Sequence, residues 1–441
     1  MKLFHALIIL FFLNSCSFDN KSGVWKNTNI SNDKISNQFR GFESLSSSHE
    51  TFNKIISIDK KFIFKKTENV NPGKWIDKYY NDSNNLENFE FNYINKLIFK
   101  GKKLSKYNLN KTLLLEENNI ITSDQRGNLI IFSINENKIL SKYNFYKKQY
   151  KKTIKNLNLI IENNVIYISD NLGYLYAYNY KNKKLLWAKN YKIPFRSNLK
   201  LFRNKLIAIN QNNTLFFFNK NNGEVLSSIP TEEVPIKNQF ISNISLSERF
   251  TFFINTYGTL YSVESDSMQI KWFLNLNQSK NFDEKNMFTG SEIIYQNGKI
   301  LVLSNKFTYV INSNNGSIIY KYNFSSSIKP IILNNYVFIL SNNTLLISFN
   351  LDNGNIIYSY DINSLIANFL NDKKNKIKPK NIIVANNNLF IVLENSYFLR
   401  VRLDGTIKEI SRLPNKIVSH PIFINKSMIY LNNKNKISII N

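Results

Sequence analysis

Pro330-Ile331-Ile332-Leu333-Asn334-Asn335 leads into Tyr336-Val337-Phe338-Ile339-Leu340, then Asn342-Asn343-Thr344-Leu345-Leu346-Ile347, then Asp352-Asn353-Gly354-Asn355-Ile356-Ile357-Tyr358. Each apolar run is too short for a helix, and each is bounded by Asn or Gly, residues that tolerate the left-handed dihedrals of tight turns. The stretch reads as four short antiparallel strands joined by hairpins. The same order returns as Ile160-Ile161-Glu162-Asn163-Asn164, Val165-Ile166-Tyr167-Ile168, Leu172-Gly173-Tyr174-Leu175-Tyr176 and Lys184-Leu185-Leu186-Trp187. Third-strand positions recur at Leu129, Leu175, Leu215, Leu260, Thr308, Leu345, Phe398 and Ile437, about 44 residues apart on average. Four strands at that period are the signature of a propeller blade.

Seven units are complete, and the eighth has only three strands before Asn441. A ring left open there would expose a bare strand edge, which proteins avoid. An N-terminal strand within Leu97–Tyr107 is expected to complete the last blade. The fold class is therefore all-β: an eight-bladed propeller of four-stranded blades.

Composition narrows the function. The 441 residues carry 58 Lys+Arg against 31 Asp+Glu, a net charge of +27, with 50 Lys to 8 Arg. Arg, whose planar fork reads guanine and phosphate, is scarce, so no nucleic-acid partner is expected. One cysteine excludes an intramolecular disulfide and any Cys-cluster metal site. Three histidines, His5, His49 and His420, leave few general bases. Asn312-Ser313-Asn314-Asn315-Gly316 has the outline of a calcium loop without its carboxylates. No catalytic residue, cofactor or metal is expected.

At the amino terminus Lys2 precedes the apolar run Phe4–Leu13, and Asn14-Ser15 separates that run from Cys16. This is a signal-peptide plan, too short to span a bilayer. Leu13-Asn14-Ser15-Cys16 resembles the bacterial lipobox, which implies acylation of Cys16. With Ser17 rather than Asp following, the resemblance implies the periplasmic face of the outer membrane. Residues 1–15 are read as signal peptide, 16–50 as lipidated Cys and tether, 51–110 as N-terminal extension with the closing strand, and 111–441 as the blades.

Blade endings such as Asn182-Lys183-Lys184-Leu185-Leu186-Trp187, Ser267-Met268-Gln269-Ile270-Lys271-Trp272, Gly316-Ser317-Ile318-Ile319-Tyr320 and Gly354-Asn355-Ile356-Ile357-Tyr358 resemble the PQQ-like propeller repeat, in which the late aromatic packs between blades. Lipobox, tether, eight such blades and a chain end inside the last blade together resemble the BamB family of the outer-membrane β-barrel assembly machinery. That resemblance implies a non-enzymatic scaffold, docked through interblade loops to the barrel-forming subunit, with nascent outer-membrane proteins as a second candidate partner. It also implies a contact loop of the form Leu-x-Leu-Arg. The nearest match is Ile193-Pro194-Phe195-Arg196, expected as an exposed cluster; counting blades from the C-terminus gives Ile236-Lys237-Asn238-Gln239 instead, making Ile236 and Gln239 the competing contacts. The family's acidic loop residues have no clear match, though Asp283 and Glu284 lie nearby. Two alternatives stay open: a degenerate PQQ-dependent quinoprotein dehydrogenase, and a propeller that binds envelope polysaccharide or protein.

Overall fold

The computed structural model describes residues 16–18, 25–27, 52–147, 150–233, 242–277, 292–371, 373 and 377–441. Two units separate, residues 1–50 and 51–441. In the first, Cys16–Phe18 pairs antiparallel with Trp25–Asn27, setting Cys16 opposite Asn27. In the second, eight four-stranded sheets follow one another: blades 1 to 7 span residues 114–144, 157–190, 200–229, 244–275, 294–322, 331–361 and 379–412, and blade 8 holds residues 422–440. Strands are called A to D from the ring axis outward. Blade 8 takes its D strand from Leu97–Lys103, which pairs antiparallel with Lys436–Ile440. The expected closure therefore holds, and all eight repeat positions fall on C strands.

Burial follows the strand's place in its blade. B and C strands such as Lys205–Ile209 and Leu345–Asn350 are buried nearly throughout, because neighbouring blades cover both faces. D strands such as Lys184–Asn190 alternate, with one face open to water. In blades 1 to 7 the C–D pairing shifts register once, two residues before the C strand ends, for example between Ala177 and Tyr178 and between Ser348 and Phe349. Such a bulge increases twist, and its repetition gives each blade the same curvature.

The late aromatics lock one blade to the next. Trp187 of blade 2 lies over Gly223 of blade 3, and its indole N–H donates to the Lys220 carbonyl at 3.0 Å. Trp272 lies over Gly316 and donates to the Ser313 carbonyl at 3.0 Å. Tyr320 lies over Gly354 and donates to the Asp352 carbonyl. A Cβ on any of these glycines would stand 2.6–2.8 Å from ring atoms. In blade 6 the position over Gly405 is taken by Tyr360, with Tyr358 fully buried and stacked beside it.

Residues 65–96 do what no repeat predicts: they wind around one mouth of the ring. The carbonyl of Lys65 accepts from Asn334 of blade 6, the amide of Thr67 donates to Asn387 of blade 7, and Asn71 accepts from Lys426 of blade 8. The segment then meets every blade in order. Trp75 exchanges backbone hydrogen bonds with Leu115 of blade 1, and the Ile76 carbonyl accepts from Ile161 of blade 2. Lys200 of blade 3 donates to the Asn81 carbonyl, Leu246 of blade 4 to that of Asp82, and Tyr295 of blade 5 to that of Ser83. Asn85 exchanges two hydrogen bonds with Ile332 of blade 6, Phe89 pairs around Val384 and Asn386 of blade 7, and Asn92 donates to Lys426 of blade 8. This collar makes more than one full turn before entering the closing strand. Its buried anchors, Trp75, Phe89 and Phe91, join the cluster shared by blades 1, 2, 7 and 8.

Candidate functional site

Antiparallel order places the A–B and C–D turns at one mouth of the ring and the B–C and D–A loops at the other. The collar occupies the first mouth, where it binds A-strand ends and A–B turns. Two places remain where chemistry can gather: the channel above the collar, and the loop face.

In the channel, Asp77 and Lys200 form an ion pair of 2.8 Å whose side chains are 4% and 0% exposed. The Asp77 carboxylate also accepts from the Tyr79 amide. Beside this pair, Lys78 lies 3.8 Å from Glu292, and the Tyr79 hydroxyl donates to the same carboxylate. Burial opposes ionisation of Glu292, yet Lys78 and the Tyr79 hydroxyl outweigh it and hold its carboxyl below the usual range. Burial also lowers the Lys78 ammonium, against the pull of Glu292 and Asp77. The Lys329 ammonium rests over the Tyr79 ring at 5.1 Å, without a hydrogen-bond acceptor, and burial pushes it down to about 7. Lys78, Lys200, Lys329 and His420 thus stand within electrostatic reach of the Asp77 and Glu292 carboxylates, each already bound to a lysine.

This arrangement does not fit the calcium and quinone of a quinoprotein. A divalent cation needs free oxygen ligands, and here the Asp77 and Glu292 carboxylates are held by ammonium groups. Among the described residues no three His, Cys, Asp or Glu side chains come together as metal ligands could.

The loop face carries the sequence-predicted contact segment. Ile193 and Arg196 are half-buried on the connection from blade 2 to blade 3. Phe195 is not the exposed anchor expected: it is 2% exposed, its ring 6.0 Å from both Tyr191 and Phe218. The reason lies in the backbone, because its amide donates to the Asp170 carbonyl and Phe195 bridges to Asn210, turning the ring between blades 2 and 3. The Arg196 side chain keeps one guanidinium nitrogen, Nη1, without an acceptor, and burial lowers its pKa. Ile236 and Gln239 lie outside the described residues, as do Asp283 and Glu284. Cys16 is described only as a strand residue.

Sequence reasoning missed the collar and the channel charges. No residue of 65–96 belongs to the repeat, and the polar run Asn81-Asp82-Ser83-Asn84-Asn85 has the composition of a loop. Two clefts also escaped notice on the loop face. One of about 510 Å³ is lined by Glu394–Ser396 and Arg412–Lys416. The other, of about 310 Å³, lies among Lys106–Asn108, Gln125, Arg126 and Lys152–Ile154.

Comparison with solved structures supports the fold. The chain is similar to BamB from Moraxella catarrhalis, with a TM-score of 0.61 and 12% identity over 78% of this chain and 98% of that one. It is also similar to the quinohemoprotein alcohol dehydrogenase of Comamonas testosteroni, at 0.60 and 10% over 82% and 76%. A europium-containing methanol dehydrogenase gives 0.57 and 10% over 83% and 89%. At these identities the likeness is one of fold. No curated protein matches the sequence significantly. A family model described as outer membrane protein assembly factor BamB matches residues 159–405, more than half of the chain, and the chain belongs to that family.

Proposed function

We propose that the chain is a non-enzymatic scaffold subunit of the outer-membrane β-barrel assembly machinery, held at the periplasmic face of the outer membrane by acylated Cys16. It docks to the barrel-forming subunit through its interblade loops. The family match over residues 159–405 carries this reading. A collar across one mouth of the ring supports it, because the opposite, loop-bearing face is then the one left to meet a partner. On that face Ile193 and Arg196 are half-buried on the connection from blade 2 to blade 3, and an apolar side chain beside an arginine is a pairing suited to an interface anchor. Tethering adds to affinity by raising the effective concentration of the partner.

Affinity purification of the full chain from detergent-solubilised membranes tests the reading. Mass spectrometry should identify the barrel-forming subunit among the retained proteins. Saturable binding of pyrroloquinoline quinone in the presence of Ca²⁺, with no barrel-forming subunit retained, would favour the dehydrogenase alternative instead.

A further inference from the structure

The 310 Å³ cleft on the loop face is built by three connections: residues 106–108 entering blade 1, the B–C loop of blade 1 at Gln125–Arg126, and residues 152–154 entering blade 2. Among the described residues Lys106, Arg126 and Lys152 line it, and no acidic residue does. Asp124 beneath it is 0% exposed and already engaged by the Ser105 hydroxyl at 2.6 Å, the Asn128 amide at 2.8 Å and the Arg126 amide at 3.0 Å. It cannot turn outward to neutralise the cleft. Arg126 is pre-positioned, its guanidinium 5.0 Å over the Tyr107 ring and donating to the Lys151 carbonyl. Lys106 approaches the same ring at 5.3 Å. Beneath the third connection, Lys155 is 1% exposed, donates to the Tyr150 carbonyl and lies 5.1 Å over Tyr146.

We infer that this cleft is a docking site for an acidic segment of a polypeptide partner. A guanidinium fixed over an aromatic ring offers its remaining N–H groups to a carboxylate. Lys106 and Lys152, exposed on opposite connections, are placed to meet carboxylates on neighbouring residues of the same segment. Concavity decides against a bilayer, since a flat array of head groups cannot follow the cleft inward to Arg126. Volume decides against one small ion, because three cations on three separate connections surround more space than a single phosphate fills. The site is independent of Ile193 and Arg196, which lie one interblade connection further around the ring. It rests on the scaffold reading only for the identity of the partner.

Fluorescence anisotropy of labelled hexaglutamate, titrated with the full chain in detergent, tests this. Because a net charge of +27 attracts any anion, the comparison is between two variants that each lose two charges: Arg126→Gln with Lys152→Gln, and Lys184→Gln with Lys189→Gln on the D strand of blade 2. We expect at least tenfold weaker binding for the first and less than twofold for the second. Lys152→Gln alone, on an exposed side chain, should weaken binding measurably without changing the melting temperature. Equal losses in the two double variants, equal binding of hexaglutamine, or full competition by millimolar inorganic phosphate would overturn the inference. So would cleft-dependent binding to phosphatidylglycerol vesicles without peptide binding. Failure to retain the barrel-forming subunit with hexaglutamate binding intact would remove that partner and leave the site.

Discussion

At the level of single residues, what looks like an anchor in sequence is a core residue in the fold. Phe195→Ala should cost about 3–5 kcal/mol of stability, the usual range for emptying a buried aromatic site, whereas Ile193→Ala and Arg196→Ala should each cost under about 1 kcal/mol; urea unfolding separates them. Lys329 gives a pH-dependent test. Its folded pKa, about 7 against an ordinary 10.5, means that between those values the unfolded chain binds the extra proton, so stability rises with pH across the window. Lys329→Met removes that dependence. Its stabilisation relative to the parent should be largest at pH 7 and shrink toward pH 10, and an equal shift in urea midpoint at both would contradict the burial argument. Lys200→Met should be destabilising by about 3–5 kcal/mol, because it strands the buried Asp77 carboxylate.

Among the elements, the blade lock and the collar hold the ring in different ways. Gly316 and Gly354 combine φ near +74° with an aromatic ring where a Cβ would stand, so Gly316→Ala should cost about 1–3 kcal/mol, more than the propensity of the turn alone. The lock was legible in the sequence because Gly and aromatic recur at fixed positions. Turn chemistry was legible too: Asn163, Asn164 and Asn334 take positive φ where glycine is absent, although at Asn342-Asn343-Thr344 it is Thr344 that does so. The collar was not legible, since its partners are backbone groups at A-strand ends, which impose no residue pattern. Asn84 shows the device: one side-chain amide, fully buried, donates to the carbonyls of Ile244 in blade 4 and Ile293 in blade 5, both at 2.9 Å. Asn84→Leu takes a donor from two blades' carbonyls, of which that of Ile244 keeps the Asn198 amide at 3.0 Å, and should lower stability by about 1–3 kcal/mol. Hydrogen exchange should then show loosening in blades 4 and 5 first, and protection unchanged there would argue against the collar as a brace.

Taken whole, the molecule joins a repeat that any reader of its period can recognise to a non-repeating segment that closes it. Leu97–Lys103 completes blade 8, and residues 65–96 tie all eight blades at one mouth, opposite the face proposed for docking. The partner side of that conclusion rests on side chains whose exposure depends on one backbone turn, which is why Phe195 could not be placed from sequence while the blades could. Cys16→Ala should move the chain from the membrane to the soluble periplasmic fraction, and a variant still membrane-bound in cells lacking the barrel-forming subunit would rule out the lipid anchor. The most direct test of the scaffold claim is site-specific photocrosslinking in intact cells, with a benzophenone amino acid placed at Ile193 on the loop face or at Leu186 on the outer strand of blade 2. The account predicts a crosslink to the barrel-forming subunit from position 193 and none from position 186; a crosslink from 186 alone, or none to that subunit from either, would contradict it.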